Sequence, residues 1–453
     1  MAPFMVFFFH QGWVRYVVKR YFRKQNGICK MVLSIRAKLL DYTDEHLASY
    51  IELWNQLTKQ LSASTKLDGS QDLFPTLTSI LQQRGLQNHL LSKQLLYAEL
   101  RAQAPRRLLF YHDQKPDTFN VQELADIAAL LSALDIYKIV QGFVPVDIQW
   151  LIDKSETKHY AEESLQEWGV TQFDGCICSH AAETGWESDG IPMLARGTKG
   201  RLSVELEVQT ASTAIDSMHG GVVPDALWRL LWALGTLKNV HEDILIEGFY
   251  DTLTPILDDE MAQLRTRPDN TTELIEYWGI EQLLMGLQGF QLHYAHLLLP
   301  TCTVSSIING PQAGSTAIVP TQAKAQVDFY LVPDQDPQDI FSKLQRHLQK
   351  QRFSDVQARI LSACCPISTS LNDPFIQLAI SATEEVYEQT PSVLPTTVGS
   401  YADLPFQMQK GAPILFMARN EQSRENDTVT FARMIKQIVL LIEGMAYGTG
   451  PTE

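Results

Sequence analysis

RLSVELEV, residues 201–208, alternates Leu202, Val204, Leu206 and Val208 with Ser203, Glu205 and Glu207. A strand sends successive side chains to opposite faces, so this stretch predicts a strand with one dry and one wet face, as in an antiparallel sheet covered on a single side. The elements before it read differently. RRLLFYHD (106–113) is a short apolar run, followed by a helix from about Val121 to Val140 with Leu124, Ile127, Leu131 and Leu134 on one face. VDIQWLI (146–152), a helical stretch through Tyr160 and Leu165, and the apolar GCICS (175–179) continue the alternation, which predicts a sheet with helices on both faces. Further upstream, Leu47, Tyr50, Ile51, Trp54, Leu57 and Leu61 recur at helical spacing behind a candidate N-cap at Thr43, and a domain is expected to begin near residue 33.

Downstream, a helix around Leu227 to Leu237, the alternating AQVDFYLV (325–332) and a helix from Pro337 to Gln351 complete a small α+β module. From about Cys364 the first pattern resumes, with a helix beginning near Asp373 and Pro374, the apolar ILFM (414–417) and a last helix from Asp427 to about Gly444. The expected fold class is α/β, a helix-covered sheet interrupted by a smaller α+β domain. The expected boundaries are an N-terminal extension over 1–32, a first α/β part over 33–198, the insertion over 199–363 and a second α/β part over 364–453.

The chain has 453 residues, 45% of them hydrophobic, enough for two cores. A formal net charge of −15 argues against a nucleic-acid partner, because phosphate binding needs a clustered basic surface. The six cysteines, at 29, 176, 178, 302, 364 and 365, lack the spacing of a disulfide framework, which suits a reducing cytoplasm. The first residues, MAPFMVFFFHQGWVRYVVKRYFRK, hold an apolar run too short to span a bilayer and no small-residue cleavage site. They read as an extension ahead of a start at Met31, with contact to an anionic membrane surface as the alternative.

The order of elements resembles the zinc-dependent amidohydrolase and exopeptidase family of carnosine dipeptidases, aminoacylases, succinyl-diaminopimelate desuccinylases and glutamate carboxypeptidases. GIPMLARGTKGRLSVELEV (190–208) resembles that family's passage from catalytic domain to lid, SMHGGVVPDA (217–226) its Gly-Gly turn into the lid helix, and IEGFYDTLTP (246–255) the following strand and loop. AIVPTQAKAQVDFYLVPDQDP (317–337), VGSYADLPF (398–406) and MARNE (417–421) then fall in the family's order. The resemblance implies that the outer domain is of catalytic type and that the insertion is a lid through which two copies pair as a homodimer.

It also implies where the chemistry should lie. The family uses two zinc ions sharing a water, a bridging aspartate, four further ligands and a glutamate base, because paired cations make the water acidic and a nearby carboxylate moves its proton. In YHDQKPD (111–117) His112 and Asp113 are adjacent where the family spaces its first His and Asp by one residue, and side chains of adjacent strand residues diverge. The loop carrying the bridging aspartate is missing, and Asp117 and Asp126 nearby read as a turn residue and a surface helical residue. Glu156 fills the slot of a ligand, but Ser155 fills that of the base. His180 stands where an acidic ligand is expected and Met417 where the final histidine is expected. Cys176, Cys178 and His180 alternate along one strand and have the chemistry of zinc ligands, against which stands the reading of buried inert thiols. Tyr330 occupies the position of the lid's carboxylate-binding arginine, with Asn309 and Ser400 as further substrate-binding candidates. Ile215, and not His219, falls in the slot of the lid histidine.

The resulting expectation is a relative with a lost or impaired metal centre, without a cofactor, acting as a non-catalytic binding or assembly protein. The alternative is an active hydrolase of peptide or N-acyl amide bonds, with zinc in a rebuilt centre drawn from His112, Asp113, Glu156 and His180. A small peptide or acylated amino acid is the ligand class that the resemblance suggests.

Overall fold

The computed structural model describes residues 35–63, 74–113, 121–154, 173–181, 193–256, 258–309, 318–397, 412–419 and 427–448. The first part of the chain supplies helices α1 (35–45), α2 (Leu47–Ala63), α3 (Phe74–Gln83) and α4 (Val121–Val140) and strands β1 (Gln87–Ser92), β2 (Leu95–Leu100), β3 (Arg107–Asp113), β4 (Asp147–Asp153), β5 (Gly175–Ala181), β6 (Met193–Ala195) and β7 (Gly197–Thr198). Thr43 does not cap the first helix. It lies inside α1, where its buried hydroxyl donates to the Leu39 carbonyl one turn back at 2.8 Å, and α1 continues into α2 across a turn at His46.

The second part supplies β8 (Gly200–Gln209), β9 (Ile215–Asp216), α5 (Ala226–Leu234), α6 (Asp258–Thr266), α7 (Thr271–Trp278), α8 (Gly289–Leu298), β10 (Thr301–Asn309), β11 (Ile318–Val319), β12 (Gln322–Leu331), α9 (Pro337–Lys350) and β13 (Gln357–Cys364). The last part adds β14 (Ile367–Ser368), α10 (Pro374–Tyr387), β15 (Val393–Leu394), β16 (Ile414–Arg419) and α11 (Asp427–Tyr447). The Asp-Pro pairs start α9 and α10 as read from the sequence. Asp336 and Asp373 accept hydrogen bonds from the first free backbone N–H groups, and proline takes the position where no N–H is needed.

Two main sheets result. The larger has the order β1-β2-β4-β3-β5-β16-β6-β15, with β4, β3, β5 and β16 parallel at its centre. One face packs Leu108, Phe110, Ile148, Trp150, Ile177, Leu415 and Met417 under α2, α3, α4, α10 and α11. Helix α4 is apolar almost all round because the sheet lies beneath it and α2 and α11 lie against it, as a helix buried on every side requires. The other face carries Tyr97, Leu109, Tyr111, Leu151, Cys176, Cys178 and Phe416 and is covered in part by Leu264 of α6 and Leu297 of α8.

The smaller sheet has the order β10-β12-β8-β13, all antiparallel. Leu202, Val204, Leu206 and Val208 lie in its own core with Leu230 and Ala233 of α5 and Ile340 and Leu344 of α9, so the alternation at 201–208 is realised as one covered face. The opposite face is a charged lattice, in which Lys324 pairs with Glu205 and Glu207, and Arg359 with Glu205.

Two crossings join the sheets, and they run side by side as the β7–β14 pair. Glycine is required there: a Cβ on Gly197 would lie 2.4 Å from the Ile367 carbonyl oxygen and 2.8 Å from that of Pro395. Next to this pair Lys199 is almost fully buried, and its ammonium donates to the carbonyls of His296 at 2.8 Å and Leu299 at 2.7 Å, which end α8. Burial lowers its pKa to about 7, and burial together with the nearby Lys199 lowers that of His296 to about 4. Arg196 pairs with Glu260 of α6 and donates to the Thr369 carbonyl, which ties the helical layer to the crossing from its other end.

Candidate functional site

In open α/β sheets ligands sit beyond the carboxyl ends of the parallel strands, where loops gather side chains from several strands. The register here aligns those ends. His112 of β3 lies opposite Ile152 of β4 and Ser179 of β5, and Ser179 lies opposite Met417 of β16. One step further along, Asp113 pairs with Asp153, and His180 with Ala418. The structure thus brings the backbones of His112, Asp113, His180 and Met417 to one edge, as a common site requires. Glu156, Ser155, Asp117 and Ser400 lie outside the described residues, and for Asp113 and His180 only the backbone is described.

The side chains in the first row are committed to the interior beneath α4. His112 is buried, and its Nδ1 accepts a hydrogen bond from the indole Nε1–H of Trp150 at 2.9 Å, with ring centroids 5.5 Å apart. Ser179 donates its hydroxyl to Asp126 of α4. Asp126 is therefore not the free surface residue expected from its helical position; it is half-buried and faces the sheet. The Met417 thioether is buried in the same core as Trp150.

On the other face Asp153 is completely buried and accepts from the Tyr111 hydroxyl at 2.7 Å. Burial, followed by the adjacent Asp153 charge, pushes the Tyr111 hydroxyl well above its ordinary pKa, so it stays a donor. Sequence reasoning missed this pair, because a carboxylate and a phenol 42 residues apart meet only through the β3–β4 register. Cys176 and Cys178 share this face with sulfurs 3.8 Å apart, and burial raises the Cys176 thiol well above its usual value, so that thiol is not a ready thiolate donor.

On the smaller sheet, Tyr330 of β12 is half-buried opposite Arg201 of β8, and Arg201 pairs with Asp328 at 3.3 Å. Burial pushes the Asp328 carboxyl upward, but hydrogen bonds from Ser203 and Gln326 and the Arg201 charge outweigh it and hold it below its ordinary pKa. Asn309 is exposed at the end of β10, Ile215 lies in β9, and His219 is exposed in the short turn helix that follows.

The family's zinc pair needs imidazole nitrogen lone pairs and carboxylates converging on a shared water. Among the described side chains, the row offers an imidazole whose Nδ1 is already accepting, a hydroxyl bound to Asp126, and a thioether in a core. These do not fit that donor set.

Residues 196–355 match the family described as the peptidase dimerisation domain. Among curated proteins the chain is similar to the Beta-Ala-His dipeptidase of Rattus norvegicus, 20% identical over 278 residues, covering 59% of this chain and 56% of that protein. It is also similar to the Cys-Gly metallodipeptidase of Saccharomyces cerevisiae, 21% identical over 221 residues, covering 48% and 46%. The chain spans about half the length of the curated relatives it matches. Among solved structures, the metallo-carboxypeptidase Sso-CP2 of Sulfolobus solfataricus superposes with a TM-score of 0.69 at 23% identity, covering 82% of this chain and 94% of that one. Human carnosine dipeptidase 1 superposes with a TM-score of 0.65 at 16% identity, covering 91% and 99%. The fold is therefore that of the metal-dependent exopeptidases. Over about half its length the chain is similar to metallodipeptidases, and residues 196–355 match the peptidase dimerisation domain, in line with the strings read from the sequence.

Proposed function

We propose that the chain is a relative of the dipeptidases and N-acyl-amino-acid deacylases whose metal centre is dismantled, and that it serves as a non-catalytic binding or assembly protein. The observation that carries this reading is the row His112–Ser179–Met417, whose side chains are spent on Trp150, Asp126 and the apolar core. A cleft that keeps family ancestry would take a small peptide or acylated amino acid, and the free thiols suit a reducing cytoplasm. Metal analysis after mild purification, paired with dipeptide and N-acyl amino acid hydrolysis assays with added zinc, manganese or cobalt, is the direct test. Less than stoichiometric metal and no turnover are expected. About one tightly held metal per chain, with activity abolished by His112→Ala and Glu156→Ala, would establish the rebuilt centre instead.

The insertion at 199–363 is read as a lid that pairs two copies. Its supports are the name of the matching family, the open edge strand β10 with exposed Val304, Ile307 and Ile308, and helix α5, which packs Leu230 and Ala233 inward and leaves Trp228 and Trp232 more than half exposed. No helix among the described residues is long and apolar enough to cross a membrane.

A further inference from the structure

Trp150 stands on β4 two residues before Ile152, the direct neighbour of His112, and on the same face of the sheet. Its side chain is fully buried in the core beneath α4, so the indole cannot swing aside without opening that core. An indole N–H can only donate. The imidazole nitrogen that receives it, Nδ1, must present its lone pair, and a neutral ring then carries its proton on Nε2. Neither nitrogen is left with a lone pair for a cation. A zinc-bound histidine has the reverse arrangement: one nitrogen ligates and the other donates its N–H to a carboxylate or carbonyl, which fixes the tautomer. Here the group behind the ring is a donor, so the support is inverted.

We propose that Trp150 is a positioning residue that locks His112 in the Nε2–H tautomer and so disarms the one histidine standing in a family ligand slot on β3. The proposal rests on the reading of a dismantled centre and names a single hydrogen bond that enforces it. Removing the donor while keeping an aromatic ring should release the imidazole.

The test uses the full chain with ring-15N-labelled histidine, and magic-angle-spinning spectra that separate protonated from unprotonated ring nitrogens. His112→Gln identifies the signal. The unmodified protein should show Nδ1 bare and Nε2 protonated, unchanged by added zinc chloride. In Trp150→Phe the two tautomers should mix, and zinc affinity measured by titration calorimetry should rise by about tenfold or more, the scale on which the partners of ligands act. The gain should vanish in Trp150→Phe/His112→Gln. A protonated Nδ1 in the unmodified protein, or a folded Trp150→Phe with unchanged zinc affinity, overturns the lock. If Trp150→Phe fails to fold, the tautomer of the unmodified chain and its indifference to zinc decide alone. The two readings also part company: tight zinc with His112 still Nε2–H supports the lock and sinks the dismantled centre. No zinc with Nδ1 protonated sinks the lock and leaves the dismantled centre standing.

Discussion

Lys199 should make folding stability rise with pH across the neutral to alkaline range, and Lys199→Met should abolish that rise. The side chain is 2% exposed, and burial lowers its pKa from 10.5 to about 7. A base whose pKa is depressed on folding binds fewer protons in the folded chain than in the unfolded one between those two values. Stability therefore increases with pH through that window and is flat below it. With about 1.36 kcal/mol per pKa unit, the full linkage approaches 5 kcal/mol, and about 2 kcal/mol of it falls between pH ~7 and pH ~9. The variant gives up two hydrogen bonds to the carbonyls that end α8, a loss of about 1–3 kcal/mol that does not depend on pH in this range. Urea denaturation of both proteins at constant ionic strength should thus give a stability difference that widens by about 2 kcal/mol from pH ~7 to pH ~9. Parallel pH profiles would falsify the account of Lys199 as a buried charge, and would mean that water reaches the ammonium at the crossing.

Glu443 lies buried in α11, 3.5 Å from Arg36, and burial raises its pKa, only partly offset by that arginine. A raised carboxyl pKa means that stability is highest below the unfolded value and is lost as pH rises through the folded one, so Glu443→Gln should raise the melting temperature at neutral pH; a lower one would show that Arg36 dominates. Gly197→Ala should cost about 1–3 kcal/mol, because the new Cβ meets two backbone carbonyls and not a movable side chain, and thermal unfolding would report it. Light scattering should find a dimer for the unmodified chain and a monomer for Ile307→Asp/Trp232→Glu, two substitutions on exposed residues that leave the lid core intact; a concentration-independent monomer for the unmodified chain would reject pairing.

The two kinds of sheet were legible because burial leaves different periods. Strands β3, β4 and β5 are covered on both faces and read as unbroken apolar runs, whereas β8 and β12 have one solvated face and alternate. Helices α6 and α8 were not legible. Segment 258–266, DDEMAQLRT, is mostly polar, and its one fully buried apolar side chain, Leu264, acquires its role only by docking on Tyr97 and Tyr111 of the larger sheet. The same limit applies to the site. The resemblance assigns His112, His180 and Met417 to slots, but the bond from Trp150 to His112 and that from Ser179 to Asp126 span 38 and 53 residues and exist only once the strands are in register.

That dependence bears on how a metal centre can decay without loss of the fold. Carboxylates and imidazoles packed at strand ends repel one another or lose solvation once no cation holds them together, and each unpaired buried charge is costly. Under the proposed reading of a dismantled centre, a chain that keeps the sheet must therefore discharge the row. Met417 does so with a thioether that packs among Ile177, Leu194 and Leu415. His112 does so by remaining neutral as an acceptor for Trp150, and Ser179 by giving the Asp126 carboxylate a donor. On that reading Met417 turns a ligand position into an ordinary piece of the core beneath α4, and restoring that one ligand would strand a polar group without completing a site. Removing the donor behind His112 should strengthen zinc binding only in part, and a full metal site should require the other ligand positions to change with it.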